Sequence, residues 1–253
     1  MHETGLDRDL LSAPAPASVP PRGARVPDAG GRSGGSVGTV TSDDASWAEI
    51  RSVEALVDLL GEPLPRARDK GRPALVEADR LWLAASPFCI VATAAADGTC
   101  DASPKGDPAG RLVHVLDDRT IALAERPGNR RADGYRNILV NPHIGLNFFI
   151  PGRGDTLRIN GRARLVADAP FFDEMVVKGH RPVLAVVVDI EDVFFHCAKA
   201  FMRSGLWQPE TWDPEGTVPR RAVLAEQVEP SGRTLAELDD YYRPENYGAG
   251  LYR

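Results

Sequence analysis

Cysteine is scarce. Cys89, Cys100 and Cys197 are the only three, they make no C-x-x-C spacing, and an odd number cannot all pair within the chain. That argues against a disulfide scaffold and fits a reducing cytoplasm. No stretch approaches the roughly 18 uninterrupted apolar residues of a membrane span, and the first residues lack a basic-then-apolar signal, so neither membrane insertion nor secretion is expected. G-x-G-x-x-G and G-x-x-x-x-G-K-[ST] are both missing, which leaves the standard dinucleotide and P-loop frameworks unsupported. There is no G-x-S-x-G, and nothing joins Ser103 or Ser204 to a His–Asp pair. His114, His143, His180 and His196 show no H-E-x-x-H or paired-ligand spacing, and a strand would aim His196 and Cys197 in different directions, so no metal site is expected. The formal net charge of −6 argues against a nucleic-acid surface but leaves room for a local positive pocket.

What is present suffices for a sizeable core: 253 residues, 43% of them hydrophobic, make one large domain or two small ones. Residues 1–45 are dominated by Pro, Gly, Ala and Ser, a composition that cannot repay its ordering entropy by burial, so a disordered tail is expected there. Residues 46–253 are expected to form a single domain. Ser46 and Glu49 stand at capping-box spacing ahead of an apolar stripe, Ile50, Val53, Leu56, Val57 and Leu60, which ends at Gly61 and Pro63. A second helix is expected near Val76–Ala85. FCIVATAAADG then reads as a strand entering an Asp97-Gly98 turn, with Cys100–Ser103 returning antiparallel to it.

The stretch Cys100–Ile150 organises the chain. It reads as short strands around Asp101–Ser103, Leu112–Leu116, Thr120–Ala124 and Ile144–Ile150, broken by two polar segments, SPKGD and ERPGNRR. A helical run, Ala132–Val140, follows the second. Arg130 and Arg131, preceded by Pro127, Gly128 and Asn129, place guanidinium forks beside the unpaired N–H groups of a helix start, an arrangement suited to phosphate. The competing reading is a solvated turn whose arginines pair with Asp133 or Glu125. Both stand on position alone.

Beyond the Pro151–Asp155 turn, Leu157, Ile159, Gly161, Ala163 and Leu165 alternate with Arg158, Asn160, Arg162 and Arg164, the period of a strand with one packed face. Gly161 marks a bend, a bulge or a close approach. Pro170 opens a short helix, and PVLAVVVDIEDVFFHC supplies another long strand. In HCAKAFMRSGLW a helix over Ala198–Leu206 would put Lys199 and Arg203 on one face, either for an anionic ligand or for ordinary pairing with carboxylates while Phe201, Leu206 and Trp207 fill core. At least six mostly antiparallel strands with short connections point to a mainly β fold with peripheral helices, a small closed or partly closed barrel, rather than a doubly wound sheet.

ASPKGD at 102–107, the run DDRTIALAERPGNRRADGYRNILVNPHIGLNFFIPGRGDTLRINGRARL at 117–165 and HCAKAFMRSGLW at 196–207 together resemble the pyridoxamine 5'-phosphate oxidase-related, FMN-binding split-barrel family, over most of residues 75–210. The resemblance implies an antiparallel, six-stranded, Greek-key-like split barrel and a homodimer with two FMN sites at its interface. It places Asn129, Arg130 and Arg131 around the FMN phosphate, Asn137 nearby, and Ser103 and Lys105 beside the ring or ribityl chain, with Lys105 stabilising charge on reduced flavin. Lys199, Arg203, Ser204 and Trp207 would close the site from the other subunit. The implied activity is FMN-dependent oxidoreduction of a small molecule, with no protein side chain as catalytic acid, base or nucleophile. The alternatives are deazaflavin F420 as cofactor, or a flavin- or haem-binding carrier or sensor. The oxidases that make pyridoxal phosphate carry an Arg-x-His arrangement near the end of the fold, where this chain has HCAK and later YYRPENYGAGLYR, so the resemblance does not extend to that reaction. Tyr241, Tyr242, Tyr247 and Tyr252 either pack on the barrel or screen the cofactor.

Overall fold

The computed structural model describes residues 47–229 and 231–252. The expected tail at 1–45 and the Ser46 cap lie outside the described residues. The chain divides into two compact units, the first ending at Leu60 and the second beginning at Gly61. In the first unit, helix α1 (Val53–Leu60) starts later than the apolar stripe suggests. Ser52 opens it, its Oγ accepting from the Ala55 N–H at 3.1 Å, while Glu49 takes the Arg51 guanidinium instead of a backbone amide.

The second unit is built on one antiparallel sheet. Its strands are β1 (Phe88–Ala94), β2 (Cys100–Gly106), β3 (Val113–Val115), β4 (Thr120–Ala124), β5 (His143–Phe149), β6 (Thr156–Val166) and β7 (Ala185–His196), in the order β2-β1-β5-β6-β7-β4-β3. The antiparallel, mainly β fold with peripheral helices is therefore present, with seven strands rather than six and with β2 and β3 left as edges. The extra strand is β3, a three-residue piece paired only with β4.

The two long strands explain how this sheet splits. β6 pairs with β7 along almost its whole length. The first half of β6 also carries β5, whereas the first half of β7, opposite the far end of β6, carries β4. Between the two zones the register slips at Asn160/Gly161, the bulge anticipated from the glycine. A Cβ on Gly161 would lie 2.1 Å from the Asp189 carbonyl oxygen, so no side chain fits where the strands approach. Bending there brings the inward faces of both halves together. Leu146, Phe148, Ile159, Ile121, Leu123 and Val188 fall in one buried cluster, as period-two alternation requires of a sheet curled round its core.

Helices close the ends of this cluster. In α3 (Glu77–Ala85), which follows the single turn α2 (Pro65–Arg68), Trp82 and Leu83 are buried against it. Asp79, wholly buried, holds the start of α3 by accepting from the Val76 N–H at 2.8 Å and by gripping Arg72 through two bonds of 2.8 and 2.9 Å. Arg72 in turn exchanges backbone bonds with Val193 of β7. Helix α4 (Asp133–Val140) contributes Ile138 to the core. On the opposite face of β4 and β7, Phe172 and Met175 of the 3-10 turn Pro170–Met175 cover Ala122, Ala185 and Val187. Beyond β7 come α5 (Lys199–Ser204), α6 (Pro214–Thr217), α7 (Arg221–Val228), α8 (Leu235–Tyr241) and α9 (Pro244–Tyr247). Ala222 and Ala225 of α7 pack on Leu238 of α8. Among the described residues no helix is long and apolar enough to cross a membrane.

Candidate functional site

The end of β2, the end of β4 and the turn before α4 meet around a cavity of about 540 Å³, within the size range of small-molecule sites. Five of the expected residues line it: Ser103, Lys105, Asn129, Arg130 and Arg131. Strand pairing accounts for the first two, because the alternating residues of edge strand β2 point to the side on which α4 lies. The other three sit in a turn of unusual backbone. Arg130 has φ 59° and Ala132 φ 55°, left-handed conformations that cost non-glycine residues free energy and that persist where the surroundings impose them. Ala132 is the N-cap of α4 and supplies no side-chain cap, so the first-turn amides of the helix have no side-chain acceptor from that residue.

The two arginines differ. Arg131 pairs with Asp133, which holds its guanidinium more firmly protonated, and its backbone N–H donates to Asn129 Oδ1 at 3.0 Å. The carboxylate pairing considered from position is thus real for Arg131. Arg130 has no ion-pair or hydrogen-bonded side-chain partner among the described residues. It is the uncompensated cation of the cavity.

Lys105 is compensated. Its Nζ donates to Glu125 Oε2 at 2.9 Å and to the Tyr135 hydroxyl at 2.8 Å, and the Tyr135 hydroxyl itself donates to Glu125. Ser103 Oγ donates to Asp101 Oδ2 at 2.8 Å. Across the β1–β2 register Lys105 faces Cys89, whose thiol burial pushes up to about 12 against the opposing field of that lysine. Asn137, expected nearby, points its amide at Thr93 Oγ1, 3.1 Å away, and is not part of the cavity lining.

Lys199, Arg203, Ser204 and Trp207 lie elsewhere in the chain. Helix α5 is fixed to the outer face of β5 by Phe201, whose ring centroid lies 6.0 Å from Phe149 and 5.8 Å from Trp207, and Trp207 Nε1 donates to the Arg153 carbonyl at 2.7 Å. Within one chain these four residues do not join the cavity. Their expected role belongs to a second protomer. Among the described residues no group of three His, Cys, Asp or Glu is placed to hold a metal ion.

A family model described as Pyridoxamine 5'-phosphate oxidase matches residues 75–197. This part of the chain belongs to the pyridoxamine 5'-phosphate oxidase-related family. No curated protein matches. Solved structures similar to the chain include HupZ of Group A Streptococcus, with 19% identity over 48% of this chain and 93% of that one and a TM-score of 0.39. A protein related to general stress protein 26, of the pyridoxinephosphate oxidase family, from Clostridium acetobutylicum is 15% identical over 47% of this chain and 85% of that one, TM-score 0.37. An F420 reductase is 16% identical over 48% and 98%, TM-score 0.35.

The family match ends at residue 197, before a segment that nonetheless reaches the cavity. Tyr252 donates to Asp107 Oδ1 at 3.0 Å, while the other oxygen of that nearly buried carboxylate takes Arg126 Nε at 2.7 Å. Burial and the Asp107 carboxylate hold the Tyr252 phenol above its ordinary pKa. Glu125, Tyr135, Asp107 and Arg126 were not expected among the site's working groups. Glu125 and Arg126 sit in the ERPGNRR motif itself, but their partners Lys105 and Asp107 lie 20 and 19 positions away, and charge pattern alone does not match them. The Asp107–Tyr252 contact spans 145 positions and has no local signal.

Proposed function

We propose that the chain is an FMN-dependent oxidoreductase acting on a small molecule, working as a cytoplasmic homodimer. The observation that carries the reading is Arg130: an unpaired guanidinium in a strained turn, beside the open first turn of α4, on the rim of a cavity of cofactor size. Such a group suits a terminal phosphate, with Asn129 and Arg131 beside it. Ser103 and Lys105 on β2 would lie along the ring or ribityl chain. When bound, FMN supplies the redox chemistry through its isoalloxazine. The protein's part is to hold the phosphate, orient the ring and set the charge around it. Lys105 is a moderated donor for that purpose, because Glu125 balances its charge and Tyr135 shares its protons. The absent Arg-x-His arrangement argues that the product is not pyridoxal phosphate.

Support for a dimer comes from the outer face of β1, β5 and β6. It carries the partly exposed Phe88, and a shallow cavity of about 230 Å³ lined by Ile90, Asn147, Arg158 and His196. There the Asn147 Oδ1 is shielded from solvent with no hydrogen-bond partner. A second protomer on this face would cover Phe88, give Asn147 a donor, and carry Lys199, Arg203, Ser204 and Trp207 toward the neighbouring site. The visible spectrum of the purified protein and the mass of its released ligand test the cofactor, with flavin bands and the mass of FMN expected. The mass of F420 or haem in its place would overturn the reading. Sedimentation at micromolar concentration should give a dimer, and monomers fully loaded with FMN would remove that part.

A further inference from the structure

A second cavity, of about 780 Å³, shares the Glu125–Arg130 wall with the first and is bounded on its other side by the segment after α7. Tyr247, Leu251 and Tyr252 line both cavities. Aromatic and apolar groups converge on this space while remaining open to it: Tyr241, Tyr247, Leu251 and Val183 are 44%, 55%, 56% and 79% exposed. A cluster of this kind around a concavity marks a binding site. The rings are held from behind. Tyr241 and Tyr247 meet edge to face at 5.5 Å with Tyr242 packed between 5.0 and 5.3 Å from them, and Arg233 stacks 4.7 Å from the Tyr241 ring.

The charges of this cavity cancel. Arg126 is paired with Asp107, Arg181 with Asp168 and Asp173, and Glu125 with Lys105. Arg130 alone is uncompensated, and on the reading above it is occupied by the cofactor phosphate. What remains is a set of hydrogen-bonding groups: the His180 imidazole, whose ring stacks 6.4 Å from Tyr252, the tyrosine hydroxyls, and the Asn246 side-chain oxygen, whose amide nitrogen donates to the Asp240 backbone carbonyl. We infer that this cavity is the substrate pocket and that it takes a planar aromatic molecule without net charge, held between tyrosine rings and bearing one or two hydrogen-bonding heteroatoms. The inference rests on the FMN reading, because only a bound phosphate removes the charge of Arg130 from the balance. An anionic ring would have to leave water for a pocket whose other nearby cations, Lys178 and Arg233, lie over the Tyr252 and Tyr241 rings and not in its lining.

Indole and indole-3-carboxylate share a ring and differ in charge, and they serve as probes. Isothermal titration into the FMN-loaded full chain should show indole binding about tenfold or more tightly than the carboxylate, a difference of about 1.4 kcal/mol. The rim variant Val183→Asp, which alters an exposed position with little bearing on folding, should weaken indole at least severalfold and leave FMN affinity unchanged, and Tyr241→Ala should weaken indole at least as much. Indole binding no tighter than the carboxylate, or untouched by both variants in protein that retains FMN, overturns this inference and leaves the cofactor reading standing. Failure of the wild type to bind FMN overturns the cofactor reading and the charge balance that depends on it.

Discussion

Replacing Arg130 with alanine removes the one cation of the cavity that nothing else satisfies. If that guanidinium holds the FMN phosphate, the loss is that of charge-assisted hydrogen bonds, about 1.5–3 kcal/mol, or roughly ten- to hundredfold in affinity. Riboflavin shares ring and ribityl chain but has no phosphate, so its affinity should change by less than about threefold on the same scale. Arg131 should respond differently because it is already spoken for. Arg131→Ala removes one positive charge and also the Arg131 contact of Asp133, a carboxylate in the first turn of α4 where the phosphate would lie. Its effect on FMN then combines lost attraction with new repulsion, and adding Asp133→Asn to Arg131→Ala should recover part of the affinity. The same addition to Arg130→Ala should recover less. Titration of the wild type, the Asp133→Asn single variant and these four with FMN and riboflavin measures each term as a double-mutant cycle. Equal losses for both ligands in Arg130→Ala would point to damage of the turn, and no loss at all would refute the phosphate assignment.

Asp79→Ala should lower stability by about 3 kcal/mol in urea unfolding, the lower end for a broken buried pair, because Arg72 is one-third exposed and can turn to water. A loss under about 1 kcal/mol would mean that the pair does not anchor α3. Gly161→Ala forces a Cβ onto the Asp189 carbonyl and should cost about 1–3 kcal/mol or more, whereas the same change at Gly98, in open space but at φ 86°, should cost only the smaller penalty of a left-handed alanine. Reversal of that order would contradict the bulge. In native protein at pH 8, Cys100 and Cys197, both exposed, should react with a thiol reagent, while Cys89 waits for denaturation. With its pKa pushed up to about 12, Cys89 has almost no thiolate at that pH, and three equal fast reactions would show that the β1–β2 interior opens readily.

Much of the fold was readable because it is written in local periodicity. Thr120–Ala124 appears as β4 with the expected bounds, the alternation from Leu157 to Leu165 appears as β6, and Gly161 stands at a bulge. Boundaries shifted where tertiary pairing, not propensity, ended the element: only Val113–Val115 of the expected Leu112–Leu116 strand finds a partner in β4. The cavity residues that share one turn, Asn129 to Arg131, were legible as a unit. Their partners were less so. Lys105 meets Glu125 across 20 positions, and Asp79 ties α3 to Arg72 and so to β7. Charge pattern names such residues as candidates, but only the folded topology decides which carboxylate reaches which cation.

Asp107 binds Arg126 with one oxygen and Tyr252 with the other. Docking of the segment that carries Tyr252 is thereby tied to the wall of both cavities, and linkage makes the tie reciprocal. A guest that touches the docked segment tightens its hold on the barrel, and any change that loosens the segment weakens the guest by the same factor. If the segment were docked only part of the time, every affinity measured at either cavity would be diluted by that fraction. Tyr252 then acts as a latch whose strength is set more than a hundred positions away, so selection on residues outside the oxidase-related domain can retune binding inside it without altering a single strand.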